Sequence, residues 1–400
     1  MGDAQAGLSR DPASSIAVRL MADDLTGALD TAAELVPLTG PIATFWPEAI
    51  PATLPAIAAW DSGTRELTSD AAVATIGPHL SALAAAGLAF KKIDSLLRGP
   101  TLAEIAACLR SGAWDGAILA PAFPFQGRIT RGGVQHRHAA DGWEPVGGDL
   151  VARLQAEGVP ARRGQVGVTP AGGAHVFDAA TDDDLQAVVA TGVRASGRVL
   201  WIGTGGLAQA LAAGLRAAQD APIAPPPALP LPILGLFGSD QSVTQAQLAA
   251  CMPHWLRLTP ETGGAVHPGA PGAATRAADQ VAARLARDGR ALVSLELPAG
   301  LDRATAAGRI AAELGALVRV LPPPGTLVVA GGETLRALCR AFGATRLSVR
   351  GRLVPGLPWS VLEGGAWNGV TVISKSGAFG PPSLLRDLLA SPHLPLQRTG

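Results

Sequence analysis

Short apolar runs alternate with helix-length segments along almost the whole chain, and six prolines crowded between Ala221 and Pro232 break the alternation once. A run of that kind supports neither a helix interior nor an inner strand, and it favours stiff polyproline geometry. It divides the chain into residues 1–220, a linker 221–232 and residues 233–400. At 400 residues the chain is too long for one ordinary core, so two domains of roughly 150–200 residues each are the default. In the first part, 16–21, 42–46, 56–60, 88–90, 117–120 and 199–202 read as strands, and 28–35, 69–85, 103–109 and 207–218 as helices. In the second, strands at 233–237, 292–297, 327–330 and 370–373 are interleaved with helices at 243–250, 273–287, 304–317, 335–342 and 384–389. This rhythm predicts two α/β domains, each with a mainly parallel sheet flanked by helices. The stretch 123–143, rich in Gly, Arg and His, shows no clear period and reads as a functional loop.

Charge and cysteine usage narrow the partners. Lys plus Arg (32) balances Asp plus Glu (32), and no basic run advertises a nucleic-acid or anionic-membrane surface. Small molecules are the expected ligands. Cys108, Cys251 and Cys339 are scattered without a CxxC, a pattern of reduced, buried thiols that points to the cytoplasm. The first residues lack a basic start followed by an apolar stretch, which speaks against a secretory signal. The apolar runs fall well short of the ~20 residues of a membrane span.

Three strand ends in the first part carry charge. Asp23 and Asp24 follow the first strand, with Thr26 as a potential helix cap. Two adjacent carboxylates exceed what capping requires, so Asp24 is a candidate ligand or base. Asp61 and Arg65 close the third strand, and Lys92, Asp94, Ser95 and Arg98 the next. Open α/β sheets collect ligand groups outside the carboxyl ends of their strands, so a shared polar crevice is the expected arrangement. Arg and Lys suit a carboxylate, and Asp accepts hydroxyl protons; together they fit a polyhydroxy acid. Gly127 and Arg128 in the irregular stretch are candidates for substrate or phosphate contact. His136 and His138 flank Arg137, but no Asp, Glu or Cys completes a metal-ligand set at helical spacing.

The second part offers three loops for phosphate. Gly331, Gly332, Glu333 and Thr334 end a strand and open a helix, where small residues let backbone N–H groups approach an anion. Lys375, Ser376 and Gly377 follow the last strand, and Gly238-Ser239 the first. They fit a nucleotide polyphosphate, although no GxxxxGK[ST] occurs. Gly203-Thr204-Gly205-Gly206-Leu207-Ala208 matches the dinucleotide fingerprint G-x-G-x-x-A between a strand and a helix. It keeps an NAD(P)-dependent oxidoreductase in view, although the acidic residue expected ~20 positions on does not close a second strand.

Taken together the motifs resemble the four-carbon acid sugar kinase family, formerly a domain of unknown function, over nearly the whole chain. The resemblance is carried by Ala22 to Ala28, Asp61-Ser62 with Arg65, Lys91 to Gly99 with Glu104, and Ala120 to Pro124 with Gly127, Arg128 and Thr130. It continues through Gly203 to Ala208, Gly238-Ser239, Thr244 with Gln247, Gly331 to Thr334, Pro355 to Pro358 and Lys375 to Gly380. Where the family usually has Asp-Ser-Thr-Leu-Arg-Gly, this chain has Leu96 in place of the threonine, so one hydroxyl is lost near the sugar. The resemblance implies a sugar-binding first domain, a nucleotide-binding second domain, and ATP-dependent phosphorylation of the terminal hydroxyl of threonate, erythronate or an oxo-tetronate. It also implies a carboxylate held by Arg65, Lys92 or Arg98, the attacking hydroxyl near Asp24 or Asp94, and Mg²⁺ accompanying ATP. A non-catalytic sugar-acid sensor is the other class compatible with these residues. The oligomeric state is left open, with room for a homo-oligomer.

Overall fold

The computed structural model describes residues 16–216, 228–238, 241–259, 273–298 and 300–390. The chain divides into two compact units, Met1–Ile223 and Ala224–Gly400. Both are α/β. Among the described residues no helix is long and apolar enough to cross a membrane.

The first unit runs β1 (Val18–Ala22), α1 (Leu25–Thr39), β2 (Ile42–Phe45), β3 (Ile57–Asp61), α2 (Ser69–Ile76), α3 (Leu80–Ala84), β4 (Leu88–Lys92), α4 (Thr101–Arg110) and β5 (Gly116–Ala120). It continues with β6 (Arg128–Arg131), β7 (Val134–Ala139), β8 (Gly142–Val146), α5 (Leu150–Ala156), β9 (Ala161–Arg163), β10 (Ala174–Val176), α6 (Asp182–Gly192), β11 (Val199–Gly203) and α7 (Gly205–Arg216). Strands in the order β2-β3-β1-β4-β11-β5-β10-β9 form a parallel sheet. β4 and β5 are buried at every position, as expected of strands covered on both faces. The chain leaves β1 toward β2 and β3 on one side and returns to β4 on the other, so the carboxyl end of β1 lies where the winding reverses.

Two expectations need correction. The helix expected over 69–85 is interrupted by a 3₁₀ turn, Gly77–His79, because Pro78 has no N–H to give the ladder. The stretch 123–143 is an antiparallel meander rather than an irregular loop: β6, β7 and β8 pair in that order, with positive-φ Gly132 and Gly133 in the first turn and positive-φ Gly142 opening β8. The buried positions of β6 and β7 are Ile129, Thr130 and Gln135, two of them polar, so no apolar period shows in the sequence.

The second unit runs β12 (Ile233–Phe237), α8 (Ser242–Ala249), β13 (Trp255–Leu258), α9 (Ala273–Asp288), β14 (Arg290–Leu295), α10 (Arg303–Val320), β15 (Thr326–Ala330) and α11 (Gly332–Phe342). The antiparallel β16 (Arg346–Val354) and β17 (Leu357–Glu363) follow, then β18 (Thr371–Lys375) and α12 (Leu384–Ala390). Strands β13-β14-β12-β15-β18 are parallel and β17 and β16 continue the sheet antiparallel. The parallel order repeats that of β2-β3-β1-β4-β11, so the two halves share a winding that no sequence repeat announces. Of the linker expected at 221–232, residues 221–227 lie outside the described residues. Its end belongs to the second unit: Leu229 is buried in that core, and the Pro232 carbonyl accepts from Gly325 and Thr326 N–H.

A buried ion pair joins β4 to the helix behind it. Lys91 Nζ lies 2.5 Å from Glu104 Oε2 on α4, with both side chains fully enclosed. Burial alone would push the Lys91 ammonium down, but Glu104, with Asp23 beyond it, holds it above the ordinary lysine value. Removing one partner leaves the other charge buried and unpaired. Glu104→Gln should therefore lower unfolding free energy in urea by about 3–5 kcal/mol, whereas Lys91→Met combined with Glu104→Leu should recover most of the loss.

Candidate functional site

The carboxyl ends of β1, β3 and β4 are adjacent, with Ala22 opposite Asp61 and Met21 opposite Lys91 in register. Asp23 and Asp24 leave β1, Arg65 comes from the loop after β3, and Asp94 and Arg98 from the loop after β4. Arg65 gathers them. Its Nε and Nη2 grip Asp23 side-on at 2.7 and 2.8 Å, Nη2 also donates to Asp24 Oδ1 at 2.8 Å, and Nη1 lies 3.5 Å from Asp94. Arg98 grips Asp94 in the same way, Nε at 2.9 Å and Nη2 at 2.7 Å. Such two-pronged pairs are the strong form of the charge-assisted hydrogen bond.

Backbone geometry serves the same end. Asp94 also accepts from the N–H groups of Leu96 and Arg98, which folds the loop around its carboxylate. Leu97 there has φ 54, the one positive φ outside glycine among the described residues, a conformation that costs ~1–2 kcal/mol. Gly99 follows at φ 72, and a Cβ on it would run into the Arg65 carbonyl. Asp24, rather than Thr26, is the N-cap of α1: its Oδ1 accepts from Gly27 N, and Thr26 donates its hydroxyl to Oδ2. A Cβ on Gly27 would come within 2.6 Å of Asp24 Oδ1 and 3.0 Å of Lys92 Nζ, so Lys92 stands beside the cap. Lys92 Nζ donates to the Ile93 carbonyl at 2.8 Å.

Electrostatics follow from these pairs. Burial would raise the Asp23 carboxyl, but Arg65, with Lys92 and Lys91, holds it below the usual carboxylate range. Asp94 is buried too, and Arg98 and Arg65 hold it well below that range. Burial disfavours the Arg65 charge, yet Asp23, Asp24 and Asp94 raise its pKa further above the ordinary arginine value.

The other expected residues fall as follows. Asp61 is buried at the end of β3 and accepts from Gly63 N at 2.6 Å. The Ser95 carbonyl is taken by Gln135 of β7. Gly127, at φ 65, closes a 3₁₀ turn, and its carbonyl accepts from His138 N–H and Arg128 Nη1. Arg128 opens β6, and burial, with Arg137 and Arg98 acting in the same direction against Asp94, lowers its guanidinium; Gln135 of the next strand ties the meander to Ser95 beside Asp94. Gln135 was not foreseen; a glutamine in a stretch of mixed polarity gives no signal until the meander is seen.

In the second unit Phe237, Ala330 and Lys375 end neighbouring strands in register. Gly331, φ 98, caps the N-terminus of α11 without a side-chain acceptor, leaving the N–H groups of Gly332, Glu333 and Thr334 in its first turn. Glu333 is exposed there, and Thr334 faces Gly238, where a Cβ would meet its Oγ1 at 2.5 Å. Lys375 is buried, and its Nζ donates to Thr244 Oγ1 at 3.1 Å and to the Ser376 carbonyl at 2.9 Å. Thr244 donates to the Gly377 carbonyl, and Gln247 to those of Phe379, Gly380 and Pro381, so α8 pins the loop after β18. With no carboxylate beside it among the described residues, Lys375 is lowered by burial to about 8. Ser239 lies outside the described residues. Uncapped N–H groups and a buried ammonium suit a polyphosphate.

The dinucleotide-like loop is filled by protein. A Cβ on Gly205 would meet the Phe123 ring at 3.1 Å, and one on Gly206 the Ala122 carbonyl at 2.7 Å. Its glycines admit the segment after β5, which weighs against the alternative that they admit a pyrophosphate.

A sugar-binding N-terminal domain model matches residues 18–162 and a nucleotide-binding C-terminal domain model residues 234–385. A D-threonate kinase of Cupriavidus necator is 33% identical, over 92% of this chain and 95% of that protein. The chain belongs to the four-carbon acid sugar kinase family. Members of this family are phosphotransferases. A D-erythronate kinase of Heliobacterium modesticaldum is 29% identical, over 74% of this chain and 77% of that one. The fold is shared with the solved structure of Haemophilus influenzae protein HI1011, 18% identical, with a TM-score of 0.66 over 93% of this chain and 99% of that one.

The Asp23–Arg65 pair makes a prediction. An aspartate with a depressed folded pKa adds stability that is present above its unfolded pKa, near pH 4, and lost as pH falls. Asp23→Asn should cost about 3–5 kcal/mol at neutral pH. In urea titrations from pH 7 downward, the gap between variant and wild type should shrink once the pH drops below about 4.

Proposed function

We propose that the chain transfers the γ-phosphoryl group of ATP to the terminal hydroxyl of threonate, erythronate or 3-oxo-tetronate. The observation that carries this reading is the crevice at β1, β3 and β4, where a half-open carboxylate stands beside several cations in a chain of this family. Asp24 Oδ1 is filled by Gly27 and Arg65, but among the described residues Oδ2 accepts only the Thr26 hydroxyl, and the side chain is 22% exposed. One lone pair thus remains for a substrate hydroxyl. Asp94, by contrast, accepts three hydrogen bonds on Oδ2 and one on Oδ1 with Arg65 beyond. The base role therefore goes to Asp24, and Asp94 shapes the loop that carries Arg98.

ATP is assigned to the second unit. The N–H groups of Gly332, Glu333 and Thr334 and the Lys375 ammonium would hold its phosphates, with Ser376 and Gly377 in the loop that Thr244 pins. Mg²⁺ is expected with it and would neutralise charge on the phosphates during transfer. Transfer of this kind depends on alignment and charge neutralisation more than on covalent help from the protein. An oxidoreductase has lost its support, because the glycines of its fingerprint are filled by Ala122 and Phe123.

A coupled ADP-release screen over four-carbon sugar acids tests the reading. ADP formed with at least one of them is expected; reduced nicotinamide formed from NAD or NADP, with no ADP, would reverse it. Asp24→Asn should lower kcat about 10²–10⁴-fold, the usual cost of losing a general base. Asparagine caps helices as well as aspartate does, so α1 should survive and the melting temperature should hold.

Lys375 predicts a pH dependence. Below about 8 its ammonium is charged and attracts phosphate; as pH rises through about 8 that attraction is lost. Calorimetric ATP affinity of the full chain should fall across that range. Lys375→Met should bind more weakly at low pH and show no such step.

A further inference from the structure

Two guanidiniums of the first unit's crevice have their side-on edge filled, and a third, Arg128, stands on the meander that Gln135 ties to Ser95 beside Asp94. Arg65 closes Nε and Nη2 on Asp23, and Arg98 closes the same two atoms on Asp94. Arg128 is the exception. Its Nη1 donates to the carbonyls of Gln126 and Gly127 at 2.9 and 3.0 Å, which fixes the plane of the group. Among the described residues its Nε is buried without a hydrogen-bond partner, its side-chain hydrogen bonds are those two of Nη1, and no carboxylate pairs with it. A buried unsatisfied donor is costly, and a planar fork is the group that best matches a carboxylate.

The placement of that fork is built, not incidental. Thr130 and Gln135 face each other across β6 and β7, and both are fully buried. Gln135 accepts from the Thr130 hydroxyl at 2.8 Å and donates to the carbonyls of Ser95 and Pro121, each at 3.0 Å. One side chain thus ties the strand that carries Arg128 to the residue next to Asp94. Both of its amide hydrogens and its oxygen are used, so only glutamine's donor set fits.

We propose that Arg128, held in the crevice by the Gln135 latch, is the guanidinium that takes the carboxylate of the acid substrate. Gln135 is a positioning residue, and Arg128 the group that makes the enzyme selective for acids over neutral polyols. This rests on the sugar-acid kinase reading above. Arg65 and Arg98 then serve to set the protein's own carboxylates, a reassignment from the clamp expected of them.

The test compares full-length wild type, Arg128→Met, Arg128→Lys and Gln135→Leu, each checked by thermal melting. Substrates are the best four-carbon acid from the screen and the four-carbon polyol that lacks the carboxylate. Arg128→Met should raise KM for the acid about 10- to 100-fold, the value of a charged hydrogen-bonded pair, with a smaller change in kcat. Its KM for the polyol should stay at the wild-type value. Arg128→Lys should recover part of the loss, since it restores the charge but not the fork. Gln135→Leu should shift the acid KM in the same direction and spare the polyol; general damage to the fold would move both. An acid KM within twofold of wild type in folded Arg128→Met overturns the clamp while leaving the kinase reading intact. An unchanged acid KM in folded Gln135→Leu overturns the latch. If calorimetry finds that wild type binds no four-carbon acid at all, the kinase reading fails and the clamp falls with it.

Discussion

One guanidinium holds the first unit's crevice together. Asp23, Asp24 and Asp94 all lie within reach of Arg65, at 2.7, 2.8 and 3.5 Å. Three carboxylates so close would repel one another strongly in a buried site, and some would take up protons. Arg65, with Lys92 and Arg98 near it, keeps Asp23 and Asp94 ionised and fixed, and that in turn fixes the ends of β1 and β4. The positive φ of Leu97 and the close approach of Gly99 to the Arg65 carbonyl are tolerated because this network over-determines the loop.

The shared winding of the two units explains why charged and glycine-rich loops recur where they do. In each, the first strand is flanked on one side by the third and on the other by the fourth, with a later strand, β11 or β18, beyond. The N-terminal half places its Asp and Arg residues after the first, third and fourth strands. The C-terminal half places glycines after the first and fourth and a lysine at the end of β18. The same scaffold therefore presents its loops in corresponding positions, and side-chain chemistry alone separates a crevice proposed for a hydroxy acid from one proposed for phosphates.

Much of this could be read from the residues. The parallel strands are continuous apolar runs such as Leu88-Ala89-Phe90 and Leu327-Val328-Val329, and period alone marks them. The convergence of Asp23, Asp24, Arg65, Asp94 and Arg98 was legible because α/β sheets place ligand groups at strand ends. What stayed hidden depends on partners far apart in the chain. β16 and β17 carry charge at several positions, β9 and β10 are three residues each, and the meander mixes Arg, His and Gly. None has a local period strong enough to stand out. Likewise, that Asp94 is saturated follows from the αL turn at Leu97, and leucine gives no hint of that backbone; which oxygen of Asp24 remains open depends on Gly27, Thr26 and the distant Arg65.

The two units treat their buried cations in opposite ways, and the difference matches the charge each is proposed to meet. In the first, Lys91 is paired with Glu104 and Arg65 and Arg98 with aspartates, so their charges are spent within the protein and persist at any physiological pH. Such a site has little surplus charge and suits a monoanion, whose single carboxylate needs a single fork. In the second, Lys375 has, among the described residues, Thr244 and loop carbonyls for company, and burial brings it down to about 8. An ammonium left uncompensated in this way costs stability in the empty protein. It gains a counter-charge when a polyphosphate arrives, so the strain of burying it becomes part of the selectivity for a highly charged ligand.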